Sequence, residues 1–151
     1  LMARYDASSY SIDATVTPAD FLYFVLFYQK KYAVTSTSAQ NLDPAGPPNY
    51  KANVDTLSLT GSYAPTAKTV LRASYSMYRT DNFNDFASAT TSLPLGLDNL
   101  SQNASMGIEQ KLTANSSLEV DYKYSQYNEG SNGGFTDYKA HLLYTVFNMK
   151  F

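Results

Sequence analysis

The feature that most limits what this chain can fold into is a period-two alternation of apolar and polar residues, renewed in segment after segment. From Ser9 to Val16, Tyr10, Ile12, Ala14 and Val16 share one parity, and Ser9, Ser11, Asp13 and Thr15 the other. Val54–Tyr63 sets Leu57, Leu59, Gly61 and Tyr63 against Thr56, Ser58, Thr60 and Ser62. Thr69–Arg79 sets Leu71, Ala73, Tyr75 and Met77 against Arg72, Ser74 and Ser76. Gln102–Leu112 and the run from Leu118 to Tyr124 alternate in the same way. Successive side chains of a strand point to opposite faces, so each segment reads as a strand with one apolar and one wet face. With FLYFVLFYQKKY from Phe21 and the final segment Tyr138–Phe151, about seven strands are expected.

The connections alternate between short and long. Thr17–Asp20, Pro65–Ala67 and Thr113–Ser116 are tight polar turns, while the stretches near 35–52, 80–101 and 128–137 are long, polar loops. Pro44, Pro47 and Pro48 keep the first of these out of regular pairing. VTPADFLYF, YAPTAKTVL and LTANSSLEV look like copies of one turn. Pro18 to Pro65 is 47 positions and Pro65 to Ala114 is 49, which suggests a two-strand repeat of about that length. The expected fold is all-β and antiparallel, an up-and-down barrel spanning 1–151 as one domain or forming the C-terminal segment of a larger one. Seven is an odd count and bacterial transmembrane barrels have even counts from eight upward. Either a strand is hidden between Thr80 and Leu100, or residues 1–151 are part of a longer barrel, and the second reading is favoured.

Composition narrows the environment. Charged residues make up 16%, below the roughly 25% of an ordinary soluble domain, while Tyr 14 and Phe 8 raise the aromatic share to 15%. A net charge of -2 offers no basic stripe for nucleic acid. Cys 0 removes disulfides, thiolate nucleophiles and haem-attachment motifs. No stretch nears the roughly 18 apolar residues of a membrane helix. A low-charge, Tyr-, Ser- and Thr-rich chain of alternating strands suits a barrel showing lipid one face and water the other.

The terminal strand carries a family resemblance. Counting back in twos from Phe151 gives Met149, Phe147, Thr145 and Leu143, and a terminal aromatic on an alternating strand resembles the C-terminal signal of bacterial outer-membrane β-barrels. The resemblance implies that assembly machinery reads this strand and that Phe147, Met149 and Phe151 help close the barrel in a Gram-negative outer membrane. Short turns would then be periplasmic and long loops extracellular. The polar parity would line the lumen, with Arg72, Glu109, Lys111, Glu119, Asp121 and Lys123, together with Asp13, as its charged candidates. Their signs are mixed, so pairing across neighbouring strands is expected rather than a single-sign ion filter.

FLYFVLFY breaks the pattern, because Phe21, Tyr23, Val25 and Phe27 alternate with Leu22, Phe24, Leu26 and Tyr28, leaving both faces apolar. A plug or partner protein inside the lumen would explain the first set; so would a local side-chain layer or a subunit contact. The hairpins VTPADFLYFVLFY and YAPTAKTVLRASYSMYRTDN are similar to those of MtrB/PioB-type barrels that sheath multihaem cytochromes. That resemblance implies a porin-cytochrome complex for transmembrane electron transfer, with haem supplied only by a partner cytochrome and none held by this chain. Those barrels are much larger, which again implies a segment. The competing functions are a general diffusion porin and a small structural or adhesive barrel. An enzyme is not expected: His141 is the only histidine, and Asp81, Asn82, Asn84 and Asp85 lack the spacing of a calcium loop. The Asn-x-Ser triplets at Asn99, Asn103 and Asn115 read as composition.

Overall fold

A computed structural model of the chain describes residues 3–37, 49–82, 84–87, 92–95, 97–131 and 133–150. These form ten strands: β1 (Ala3–Ala19), β2 (Leu22–Thr37), β3 (Tyr50–Lys51), β4 (Val54–Thr66), β5 (Thr69–Asp81), β6 (Asn84–Ala87), β7 (Ser92–Leu95), β8 (Asp98–Lys111), β9 (Ser116–Glu129) and β10 (Tyr138–Met149). No helix occurs among the described residues. Seven long strands pair in the order β1-β2-β4-β5-β8-β9-β10, every step antiparallel, and β3 adds to the end of β2.

The expected loops are shorter than the sequence suggests. β5 runs on to Asp81 and β8 begins at Asp98, so both enter the stretch expected to be irregular. Between them, among the described residues, β6 and β7 pair only with each other and add no eighth span to the main sheet. β2 continues to Thr37 and β9 to Glu129, and residues 38–48 lie outside the described residues. The sheet is not closed. Among the described residues β1 pairs only with β2, and β10 only with β9.

The repeat is stricter in register than in sequence. Val16 pairs with Phe24, Tyr63 with Leu71 and Gln110 with Leu118, each pair 47 positions after the last. Across the long connections Tyr28 faces Leu57 and Tyr75 faces Ala104, again 47 apart. The register break between Val16 and Ala19 recurs between Tyr63 and Thr66. The spacing of 49 came from matching Ala114 to Pro65; the residue equivalent to Thr66 is Thr113, at 47. Only the last long connection departs: Tyr122 faces Leu143, eight positions short of where strict repetition would put its partner.

Two turns share one device. The Thr66 hydroxyl oxygen accepts from the Lys68 N–H at 3.2 Å and the Thr69 N–H at 3.1 Å, and the hydroxyl donates to Thr69 Oγ1 at 3.0 Å. Thr113 Oγ1 accepts from the Asn115 N–H at 3.2 Å and pairs with Ser116 Oγ at 2.7 Å. Such side-chain bonds pin the turn locally and so fix the strand register. Thr66→Ala and Thr113→Ala are each expected to cost about 0.5–1 kcal/mol. Sites this far apart should add, to within a few tenths of a kcal/mol, in urea titrations of the detergent-folded chain.

No second layer packs on the sheet among the described residues. Among the described residues Ala33, 1% exposed, is the one buried hydrophobic side chain, and no large side chain is fully buried. The accessible surface is 10474 Å², against about 7,600 Å² for a compact globular protein of this mass. Burial of a core does not hold these strands together; backbone pairing and cross-strand side-chain contacts do.

Candidate functional site

The two faces differ in chemistry. One cross-strand row of the apolar face runs Val16, Phe24, Gly61, Ala73, Met106, Tyr122, Leu143. The neighbouring row on the other face runs Thr15, Val25, Thr60, Ser74, Ser105, Lys123, Leu142. Gly61 and Ala73 are small among larger neighbours, and they open a groove of about 750 Å³ on the apolar face.

On the polar face the register gathers the charged candidates. Arg72 lies opposite Gly107, Asp121 also lies opposite Gly107, and Glu109 faces Glu119 one pair further on. Like charges directly opposed repel. The Arg72 guanidinium relieves this by bridging them, with Nη1 at 2.8 Å from Glu119 Oε1 and Nη2 bonded to Glu109 Oε2. Gly107 makes the arrangement possible, because a Cβ there would overlap the Asp121 carboxylate. Asp121 Oδ2 is buried with no hydrogen-bond partner among the described residues. Lys123 stands apart, its Nζ 5.2 Å from the Tyr144 ring centre, and Lys111 lies at the turn rim beside Glu109 and Asn148. Asp13, opposite Phe27, is on this face too. Alternation alone was enough to place these residues on one face, and the pairing expected of them is present at Arg72.

Towards the long connections the same face carries a polar network that sequence reasoning missed. Thr80 Oγ1 donates to Asn99 Oδ1 at 3.0 Å, Asn99 Nδ2 reaches the Tyr127 hydroxyl at 3.4 Å, and that hydroxyl donates to Glu129 Oε2 at 3.1 Å. Ser131 and Thr136 each donate to Glu129 at 2.7 Å. The bond from Ser131, then that from Thr136, holds the Glu129 carboxyl below its usual range. A depressed carboxyl stabilises the folded state above the ordinary Glu value and loses that contribution as pH falls through the folded value. The protection of backbone amides over 129–131 and 133–138, after correction for the intrinsic exchange rate, is therefore expected to fall below about pH 4. Glu129→Gln should remove the pH step.

One candidate needs correction. Phe21 does not stand with Tyr23, Val25 and Phe27: it sits in the turn between β1 and β2, its ring 5.9 Å from that of Tyr63 on the apolar face. The turn breaks the parity that its position implies. Tyr23, Val25 and Phe27 do lie on the polar face, where Tyr23 is 44% exposed. β10 adds residues that the sequence reading passed over: Leu142, Tyr144 and Val146 also face this side, opposite Lys123, Asp121 and Glu119. Phe147 and Met149 face Leu118 and Ser116, both more than half exposed, on the apolar side; Phe151 lies outside the described residues.

The apolar face holds a repeated tyrosine. Tyr28, Tyr75 and Tyr122 are 47 positions apart, and each hydroxyl bonds a polar side chain on the next strand: Asp55 at 3.0 Å, Gln102 at 3.1 Å and His141 Nδ1 at 2.7 Å. Asp55 and Gln102 are themselves 47 apart. His141 thus packs among tyrosines, its ring 5.1 Å from Tyr124. Asn82 clamps the Asn53 backbone through two 2.7 Å bonds, while Asn84 and Asp85 belong to β6. No group of three or more side chains suited to a metal occurs among the described residues. No protein-family model matches the chain, and no curated protein or solved structure of significant similarity was found.

Proposed function

We propose that this chain forms part of the wall of a porin-type β-barrel in a bacterial outer membrane, its apolar face against lipid and its polar face towards the lumen. The observation that carries this is how the two faces repeat. On the apolar face equivalent positions keep one character: Ile12, Leu59 and Met106; Phe24, Leu71 and Leu118; tyrosine at 28, 75 and 122. On the other, the sets that begin on β2 diverge (Val25, Arg72 and Glu119; Phe27, Ser74 and Asp121), while Ser11, Ser58 and Ser105 stay small and polar. One face answers to a uniform surrounding, the other to local demands. The missing core supports the same reading, since large apolar side chains stay uncovered in water.

The stagger of the repeat supports a tilted wall. The straight row from Tyr28 reaches Met77 on β5, whereas its repeat equivalent is Tyr75, a stagger of two residues over two strands. The row from Tyr75 reaches Tyr124 on β9, where the equivalent is Tyr122. One residue of rise per strand spacing corresponds to a tilt of about 35°, within the range of membrane barrels. From Leu22 to Lys30 the eight residue steps cover about 27 Å of strand, or about 22 Å along the membrane normal at that tilt, close to the apolar band of such barrels. The tyrosines fall at one edge of this band, where ring and hydroxyl suit the interface.

We take the lumen to be occupied rather than wet, and the barrel to sheath a partner through which electrons cross the membrane. Tyr23, Val25 and Phe27 on β2 and Leu142, Tyr144 and Val146 on β10 favour this, because a water-filled pore gives such side chains no partner. The Ser- and Thr-rich rows between them favour the second reading, a diffusion porin. The test is the intact mass of the natural protein from outer membranes solubilised in mild detergent, with a haem stain of the same native-gel band. Co-migrating haem on a chain well above 16.7 kDa is expected. A haem-free band would overturn the sheath.

A further inference from the structure

We infer that the free edge of β1 is a docking site for one more antiparallel strand of the same 47-residue unit, a strand of the β2 type supplied from outside residues 1–151. The inference rests on the barrel reading but draws on separate observations. Among the described residues β1 offers a 17-residue edge paired on one side only. β1 and β10 are the first and seventh strands of an antiparallel series, so both run towards the short turns. They cannot pair antiparallel with each other. A second copy in the same orientation presents the same difficulty, since its β10 would also arrive parallel.

The repeat supplies the register. β1, β4 and β8 are equivalent through Ile12, Leu59 and Met106. On the side where β1 is bare, β4 carries β2 and β8 carries β5, with Leu26 opposite Leu59 and Ala73 opposite Met106, again 47 apart. The residue opposite Ile12 is therefore the equivalent of Leu26, and that opposite Tyr10 is the equivalent of Tyr28. Tyr10 and Ile12, 67% and 62% exposed, are the side chains this strand would cover. It would continue the tyrosine series by one further unit and raise the count from seven to an even number.

The chain has no natural cysteine, so the register can be read by disulfide capture. A synthetic peptide of residues 22–37 carrying Leu26→Cys would be added to the full chain, folded in detergent under mild oxidant, with single cysteines placed along β1. Capture at Ile12→Cys is expected to exceed that at Ser11→Cys or Asp13→Cys by about five-fold or more, because a one-residue shift moves the thiol to the other face. Equal capture at all three sites, or capture no better than with a scrambled peptide, would overturn the inference. So would preferential capture at Ala14→Cys, where the chain's own β2 sets Leu26. Chain-to-chain disulfides between Ile12→Cys and Leu143→Cys would give the edge to a second copy instead. This readout needs no bilayer, so its failure is separable from failure of the barrel reading.

Discussion

Met106→Arg is expected to weaken folding in a lipid bilayer by about 2–4 kcal/mol, the cost of a cation on the lipid face near the midplane of a membrane barrel. Ser105→Arg, one residue away, should change it by under about 1 kcal/mol, because its side chain points to the polar face. The comparison is sharp because Met106 is already 63% exposed in the isolated sheet. In water, an arginine at so open a position would cost almost nothing. A large penalty therefore measures what surrounds the face rather than how the sheet packs. Urea titration of vesicle-bound protein, followed by tyrosine fluorescence and gel mobility, gives both values.

The second large effect is expected at Gly107, where Gly107→Val should destabilise the folded chain by about 1–3 kcal/mol through overpacking. Its side chain would enter space held by the Asp121 carboxylate, beside the Arg72 bridge to Glu109 and Glu119. Displacing that carboxylate disturbs the guanidinium which keeps two opposed glutamates apart. Asp121→Ala should vacate the space, so the double variant should recover much of the loss, and the cycle should show strong coupling. Additive losses would mean that Gly107 is needed for its backbone and not for the room it leaves.

Much of the fold was legible in the sequence because side-chain parity in a strand is a local property. Leu57, Leu59, Gly61 and Tyr63 declare their shared face without knowing their partners, and so do Arg72, Glu109 and Glu119. Parity fails where the backbone leaves the strand, as at Phe21. What stayed hidden depended on register between strands far apart in the chain. That Arg72 meets Glu119 across β8, or that Asn99 links Thr80 to Tyr127, follows from pairing and from no sequence spacing. The turn at Thr113 misled the repeat count because Pro65 is the most visible residue of its turn, while Thr66 makes the hydrogen bonds. The apolar side chains of β10 on the polar face escaped notice because the parity of Phe147 and Met149 was already a complete pattern.

The central claim is that the face of Phe24, Gly61 and Met106 lies in lipid. The most direct measurement places single spin labels at successive positions from Gln102 to Glu109 in the vesicle-inserted protein. Collision with dissolved oxygen and with a water-soluble nickel chelate is then compared along β8. Oxygen access should peak at 104, 106 and 108 and chelate access at 103, 105 and 107, with a period of two. A weaker chelate signal throughout, with the alternation kept in oxygen, is the result expected if a partner fills the lumen. Chelate reaching 104, 106 and 108 as readily as the other parity would contradict the assignment of that face to lipid.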